Sequence, residues 1–345
     1  MQFGAKVTEE NIKTYSSSPN WKNGSFVNIE ETGMSIPLKK IPKLIYKQFI
    51  EKKDKAPKQP LNIPSFNVQD FNKNDSDFKF IWYGHSVLLL KISGLTILID
   101  PMFGQNAAPI SPFPVKRFSK NTLDIIDNLP DIDIVLLTHD HYDHLDYHSI
   151  QKLIPKVKYY YTAIGVGRHL IKWGIKSDQI TEFDWWDNKV IESLNITFTP
   201  TRHFSGRGLK DRAKSLWGGW VLKSDTKNIW FSGDGGYGKH FKEIGEKLGP
   251  FDFGFMECGQ YNENWHQIHM FPKESIQAAM DAKVNSIMPV HWGAFSLAQH
   301  SWKEPVEEFI KESESKNTHY LVPRIGEIID LNKTYDTKFW WRKIL

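Results

Sequence analysis

Thr138-His139-Asp140-His141-Tyr142-Asp143-His144-Leu145-Asp146 carries three histidines and three aspartates in the eight residues after Thr138. The run before it, Ile132–Leu137, is largely apolar and reads as a buried strand. Extended backbone through His139 and His141 would send both side chains to one face, because side chains alternate along a strand. A turn just beyond would aim Asp143 and His144 at a neighbouring point. Imidazole nitrogen with carboxylate oxygen is the donor mix that Zn²⁺ and similar first-row ions take. The competing reading is a polar loop that caps the helix beginning near Leu145, with Asp143 or Asp146 as N-cap. The spacing H-x-H-x-D-H favours the metal.

Strand-like runs elsewhere end in the same residue types. His203 follows Phe198-Thr199-Pro200-Thr201-Arg202, Asp234 follows Trp230-Phe231-Ser232-Gly233, and His291 follows Ile287-Met288-Pro289-Val290. Taken singly, His203 or His291 reads as a hydrogen-bonded structural histidine, and Asp234 as a turn former. Strands of one sheet end along a common edge, however, so these side chains can converge there. The candidate ligands are then His139, His141, Asp143, His144, His203, Asp234 and His291. Two divalent ions sharing a bridging carboxylate need roughly this inventory.

Of 345 residues, 40% are hydrophobic and 24% charged, a balance that fits a soluble globular protein of one large domain or two ordinary ones. A formal net charge of +4 gives no electrostatic argument for nucleic acid. The basic excess concentrates at Lys39, Lys40, Lys43, Lys47, Lys52, Lys53, Lys55 and Lys58, a solvated basic face or a surface for anionic lipid. Cys258 is the one cysteine, so no disulfide forms within the chain, and a reducing compartment is compatible. The N-terminus lacks the basic start and apolar block of a secretory signal, and no apolar run approaches about 18 residues. A cytoplasmic protein is expected, with peripheral membrane contact left open.

Residues 1–77 are polar and divided by Pro37, Pro42, Pro57, Pro60 and Pro64. They read as an extension that wraps the main domain or lies over the site, with one amphipathic helix over 43–52; partial disorder is the alternative. The main domain spans 78–345. Strands are expected over 78–83, 86–92, Leu95–Ile99, Ile132–Leu137, 158–162, Ile180–Phe183, 196–200, Gly219–Lys223, 228–232, 253–256 and Ser286–Val290. Two more are expected to close the domain, over 327–331 and 339–342. Helices are expected over 123–128, after Leu145, and over 165–173, 273–282 and 305–313. Strands first, then strands alternating with helices, indicate a layered α/β domain with more than one sheet.

The order His139-x-His141-x-Asp143-His144, then His203, Asp234 and His291, resembles that of the metallo-β-lactamase superfamily. Its β-lactam-hydrolysing members commonly carry cysteine at the fifth ligand position. This chain has Asp234 there, as phosphodiesterase, lactonase and thioesterase members do. Further stretches are similar to the N-acyl-phosphatidylethanolamine-hydrolysing phospholipase D family and its bacterial relatives. They are Trp82-Tyr83-Gly84-His85-Ser86, Asp100-Pro101-Met102-Phe103, Leu216-Trp217-Gly218-Gly219-Trp220, Gly233-Asp234-Gly235-Gly236-Tyr237 and His291-Trp292-Gly293-Ala294-Phe295. The resemblance covers about residues 78–329, and Gly24-Ser25-Phe26-Val27-Asn28 resembles a short element upstream of that family's domain.

The resemblance implies a four-layer αββα sandwich with the site at one edge. It also implies His139, His141 and His203 on one metal ion, Asp143, His144 and His291 on a second, and Asp234 between them. Zinc is favoured, and iron or manganese also suits these donors. Such a pair lowers the pKa of a shared water and screens charge on a phosphoryl oxygen. The implied activity is phospholipase D-type hydrolysis of an N-acylated phospholipid or related phosphodiester, with Asp143 and His269 in the catalytic set. A lactonase or other ester hydrolase is the alternative, and a non-catalytic protein that keeps the fold is a third reading, which the intact ligand set opposes.

His269 matches a family histidine and reads as a proton donor or substrate-positioning residue, or as a loop histidine orienting a neighbour. His85 and Asp100 are expected to support the metal ligands. Arg207, Lys210 and Arg212 read as a phosphate clamp or as an exposed basic loop. Trp185, Trp186, Tyr261 and Trp265 read as a wall for acyl chains or as core. The expected partners are a phospholipid or other phosphodiester, a membrane surface touched peripherally, a second copy in a homodimer, and no nucleic acid.

Overall fold

The sheets explain how residues scattered over the chain meet at one edge. The computed structural model describes residues 2–344 apart from 34–38, 40–41, 44–45, 47–49, 52–53, 74–75 and 109–113. The expected helix over 43–52 lies largely outside the described residues. One seven-stranded sheet has the spatial order Ile328–Asp330, Phe78–Trp82, Leu88–Ile92, Leu95–Ile99, Ile132–Leu137, Val157–Ala163 and Ile180–Phe183. The other has the order His319–Tyr320, Ser286–Val290, Phe253–Glu257, Asn228–Phe231, Gly219–Lys223, Leu194–Thr199 and Asn188–Ile191. In each sheet one side is antiparallel and the other parallel.

The sheets pack face to face through aromatic side chains. Phe80 of the first meets Phe255 of the second edge-on at 5.0 Å, and Phe183 meets Trp220 at 5.2 Å. Alternation decides what each strand shows to which layer. Trp220 and Leu222 join the core between the sheets, whereas Val221 points outward to a second apolar cluster with Phe241, Ile276 and Phe309. Those last three lie on helices His240–Lys247, Pro272–Asp281 and Glu304–Ser315, which cover the outer face of the second sheet. Each large side chain so buried contributes roughly 1.5–3 kcal/mol. Cys258 is a buried free thiol in the outer cluster.

Two expectations change. Residues 339–342 do not extend a sheet. Trp340–Lys343 form a 3₁₀ turn in which Trp340 stacks on Trp292 at 5.9 Å and gives its indole N–H to Pro323 O. Indoles that fill a hollow and need a hydrogen-bond acceptor override the strand propensity of an aromatic run. Asn188–Ile191 is an additional strand at a sheet edge, mostly exposed.

The described part of the extension packs on the body. It contains helix Glu9–Tyr15 and the hairpin Trp21–Lys22 with Ser25–Phe26. Asn20 donates to Asp184 at 2.6 Å and the Phe26 amide to Ala213 O at 2.9 Å. Of the eight clustered lysines, Lys39, Lys43 and Lys58 are exposed and Lys55 is buried; the other four lie outside the described residues. Among the described residues no helix is long and apolar enough to cross a membrane.

Candidate metal centre

Strand direction places the candidate ligands. Phe78–Trp82, Leu95–Ile99 and Ile132–Leu137 point the same way in the first sheet, so His85, Asp100 and His139–His144 leave it at one edge. In the second sheet Leu194–Thr199, Asn228–Phe231, Phe253–Glu257 and Ser286–Val290 share a direction, so His203, Asp234, Glu257 and His291 gather at their ends. The two edges are tied directly: the His85 amide donates to Trp292 O at 2.7 Å, and the His291 amide to His85 O at 2.9 Å.

The local backbone is forced. His85, Asp100 and His291 have φ of 55°, 41° and 67°, a left-handed conformation rare for residues with a Cβ and concentrated at functional sites. Gly233, at φ 66°, lets the chain before Asp234 turn against Gly218, where a Cβ would fall 2.2 Å from the Gly218 carbonyl oxygen.

Two groups of donors result. His139 Nε2 and His203 Nε2 lie 2.9 and 3.2 Å from His141 Nδ1. The outer nitrogens of two of these rings are anchored, His203 Nδ1 on Ile268 O at 3.0 Å and His139 Nδ1 at Thr138 Oγ1, 2.9 Å away. In the second group Asp143 Oδ2 lies 3.6 Å from His144 Nε2, 4.0 Å from His291 Nε2 and 2.9 Å from His85 Nε2. Asp234 stands between the groups, with Oδ2 3.0 Å from His144 Nε2 and 4.0 Å from His139 Nε2, and Oδ1 3.2 Å from His291 Nδ1. These sets bring their ligand atoms within 4.8 Å of one another.

Electrostatics show what the cluster suits. Burial, reinforced by the neighbouring imidazoles, pushes His139 and His203 well below the usual histidine range. Burial likewise lowers His141 and His85 to about 4. His144 goes the other way: burial disfavours its charge, but Asp234, Asp143 and Asp100 outweigh that and raise it well above 6.5. Burial lifts Asp234 to about 6 against the pull of His144. Neutral imidazole lone pairs aimed at one another, beside a charge-balanced His–Asp group, fit a pair of divalent cations.

The stretch 138–146 divides its labour. Asp146 caps helix Tyr147–Leu153, accepting from the His148 and Ser149 amides. Asp140 turns away from the cluster: it accepts from Ser215 Oγ at 2.6 Å and the Gly206 amide at 2.7 Å, with His169 Nε2 at 3.3 Å. The extension completes this arrangement through the Ala5 amide on His169 Nδ1. Asp100 accepts from the Thr138 amide and hydroxyl at 2.9 and 2.7 Å, and its Oδ2 lies 2.7 Å from His144 Nδ1.

Arg207 is corrected as a phosphate clamp. It is buried, and its guanidinium donates to the carbonyls of Asp140, Leu145 and Gln2 at 2.7, 2.8 and 2.8 Å. A desolvated guanidinium needs these acceptors, so it stiffens the histidine loop. Arg212 is exposed and lies 4.1 Å over Phe204, which meets His141 edge-on at 4.6 Å. Arg212 also lines a cavity of about 280 Å³ between His203 and residues 26–33. Tyr261 is corrected as well: its hydroxyl is committed to Glu304 at 2.7 Å and its ring stacks on His300, which makes it a packing residue. Trp185 packs on Trp217, Lys247 sits over Trp186, and Trp265 donates to Gln260 O.

Two residues at the site were not singled out by the sequence. Asn28 accepts from the His203 amide at 3.1 Å and from Trp217 Nε1, and donates to His203 O at 2.8 Å. Glu257 faces His269, with Oε1 3.2 Å from Nδ1. Burial opposes a charge on His269, but Glu257, Asp234 and Asp143 together raise its pKa.

Known proteins bear on this geometry. A family model described as a beta-lactamase superfamily domain matches residues 96–292. An uncharacterised protein of Mycobacterium tuberculosis is 33% identical over 330 residues, 94% of this chain and 88% of its own. N-acyl-phosphatidylethanolamine-hydrolyzing phospholipase D 1 of Caenorhabditis elegans is 28% identical over 286 residues, 78% of this chain and 80% of its own. Igni18, a metallo hydrolase of the archaeon Ignicoccus hospitalis, superposes with a TM-score of 0.56 at 21% identity, covering 73% of this chain and 97% of that one.

Proposed function

The chain is a metal-dependent hydrolase of the metallo-β-lactamase superfamily, and from that premise we propose that it cleaves phosphodiesters in the manner of a phospholipase D. The observation that carries this reading is Asp234, a carboxylate set between two donor groups where a sulfur would suit other chemistry. The likeness to the nematode phospholipase D supports a lipid phosphodiester as substrate.

His139, His141 and His203 would hold one ion, Asp143, His144 and His291 the other, and Asp234 both. When bound, the pair would lower the pKa of a water and screen the charge growing on the phosphoryl oxygens; zinc is favoured among ions that accept these donors. The chain's own residues do the rest. Asp100 and Thr138 hold His144 in one tautomer, the Ile268 carbonyl does the same for His203, and His85 steadies Asp143. In this reading His269 hands a proton to the leaving alcohol oxygen, and Arg212 meets the anionic substrate at the rim.

Metal analysis combined with a substrate panel tests the reading. Protein loaded with Zn²⁺, Fe²⁺ or Mn²⁺ should hydrolyse a chromogenic phosphodiester and release phosphatidate from an N-acylated phospholipid. Turnover of lactones, with none of any phosphodiester under every metal, would overturn it.

A further inference from the structure

The strand Phe253–Glu257 ends on a carboxylate that the proposed ligand set does not use. Glu257 is fully buried, and both of its oxygens are engaged. Oε2 accepts from the Met270 amide at 2.9 Å, and Oε1 faces His269 Nδ1 at 3.2 Å. Its own amide donates to Ser232 Oγ at 3.0 Å, and that hydroxyl donates to the carbonyl of Gly233, next to Asp234. The carboxylate is therefore fixed to the strand end that delivers Asp234 and to the segment that carries His269.

His269 Nδ1 is the basic nitrogen that faces Glu257. A buried carboxylate is costly unless paired, and an ionised one can only accept, so the facing Nδ1 must carry its proton. Nε2 is then the nitrogen left for chemistry. Neighbouring rings hold its plane: His269 stacks on His291 at 5.2 Å with 15° between planes and meets His203 edge-on at 5.0 Å. The histidine also lies within ligand reach of His203 and Asp234.

We propose that Glu257 is a positioning residue for hydrolysis, locking His269 in the Nδ1–H tautomer with Nε2 turned to the reacting oxygens. This rests on the hydrolytic reading of the site. As the water oxygen bonds to phosphorus, the phosphorus–alkoxy bond breaks and its electron pair stays on the leaving oxygen. His269 Nε2 takes up the proton the water releases and delivers it to that oxygen, so the histidine ends as it began.

The test compares leaving groups in the metal-loaded enzyme. In Glu257→Gln, kcat for a diester with an alkyl alcohol leaving group should fall about 10²-fold, the scale of a general acid–base contribution. A p-nitrophenyl diester, whose leaving group needs no proton, loses only the proton-accepting half of that relay and should fall clearly less than the alkyl diester, with KM and metal content unchanged. His269→Gln should show the same split. Equal loss on both substrates, or loss of bound metal in Glu257→Gln, would overturn the proposal. A second readout needs no activity. Nitrogen-15 NMR of histidine-labelled wild-type protein, with His269 assigned by its absence in His269→Gln, should show a proton on Nδ1; a ring protonated on Nε2 alone would overturn the proposal. Should the wild type hydrolyse no phosphodiester, the functional reading fails while the tautomer still decides the role of Glu257.

Discussion

At one end of the cluster three imidazoles, His139, His141 and His203, face one another; at the other, His144 is enclosed by Asp100, Asp143 and Asp234. Burial keeps the first end neutral and ready to bind a cation. The carboxylate end attracts a dication more strongly, yet it stores a proton on His144 that must leave first. Two ions at adjacent points would thus be held by different means, by neutral imidazoles with one shared carboxylate at one and by several carboxylates at the other. Asp234 belongs to both, which is why it should be the most sensitive position.

Asp234→Asn breaks the comparison by removing the shared anion. Hydrolysis should fall by at least about 10³-fold, the upper scale for losing one electrostatic stabiliser, and elemental analysis should show both ions depleted. Retention of two tightly held ions would mean that Asp234 does not bridge. Asp100→Asn sharpens the comparison by acting on one end. An amide offers one acceptor oxygen where Asp100 uses two, so its NH₂ must face either the Thr138 amide or His144 Nδ1, and the carboxylate end should lose 10- to 100-fold in metal affinity, roughly the cost of a lost supporting partner. The imidazole end should keep its affinity in a competitive chelator titration.

What the sequence disclosed follows from how local each signal is. Leu95–Ile99, Ile132–Leu137, Gly219–Lys223 and Ser286–Val290 were legible to the residue, because a strand buried between layers is an apolar run bounded by turn formers. The short, exposed edge strand Asn188–Ile191 had no such signature, and the Trp340–Lys343 turn had a misleading one. Within 138–146, the spacing H-x-H-x-D-H favoured Asp143 over Asp140 as a ligand but gave Asp140 no role. Packing supplies it, since Asp140 faces Ser215 while Asp143 faces His85. Arg207 and Arg212 look alike in sequence, and the difference between them is burial. Glu257 carried a readable signal, a carboxylate closing an apolar strand, the same kind that marked Asp234.

The smallest expected effect concerns protons. His144 in the metal-free protein has its pKa raised above 6.5, so its proton-linked stability is fully present below 6.5 and is lost as pH rises through the raised value. Metal entering that end must displace this proton, so affinity there should weaken as pH falls below the raised pKa. His139 and His203, lowered well under 6.5, carry no proton at neutral pH, and affinity at their end should stay flat down to about 6, where Asp234 takes up a proton. His203→Ala and His291→Ala isolate the two ends. Calorimetric titration of each variant with Zn²⁺, in buffers of different ionisation enthalpy, counts the protons released. His203→Ala, which leaves the carboxylate end, should release about one more proton per ion than His291→Ala. Equal release from the two would show that the carboxylates around His144 do not hold its proton, and the contrast between the ends would reduce to geometry.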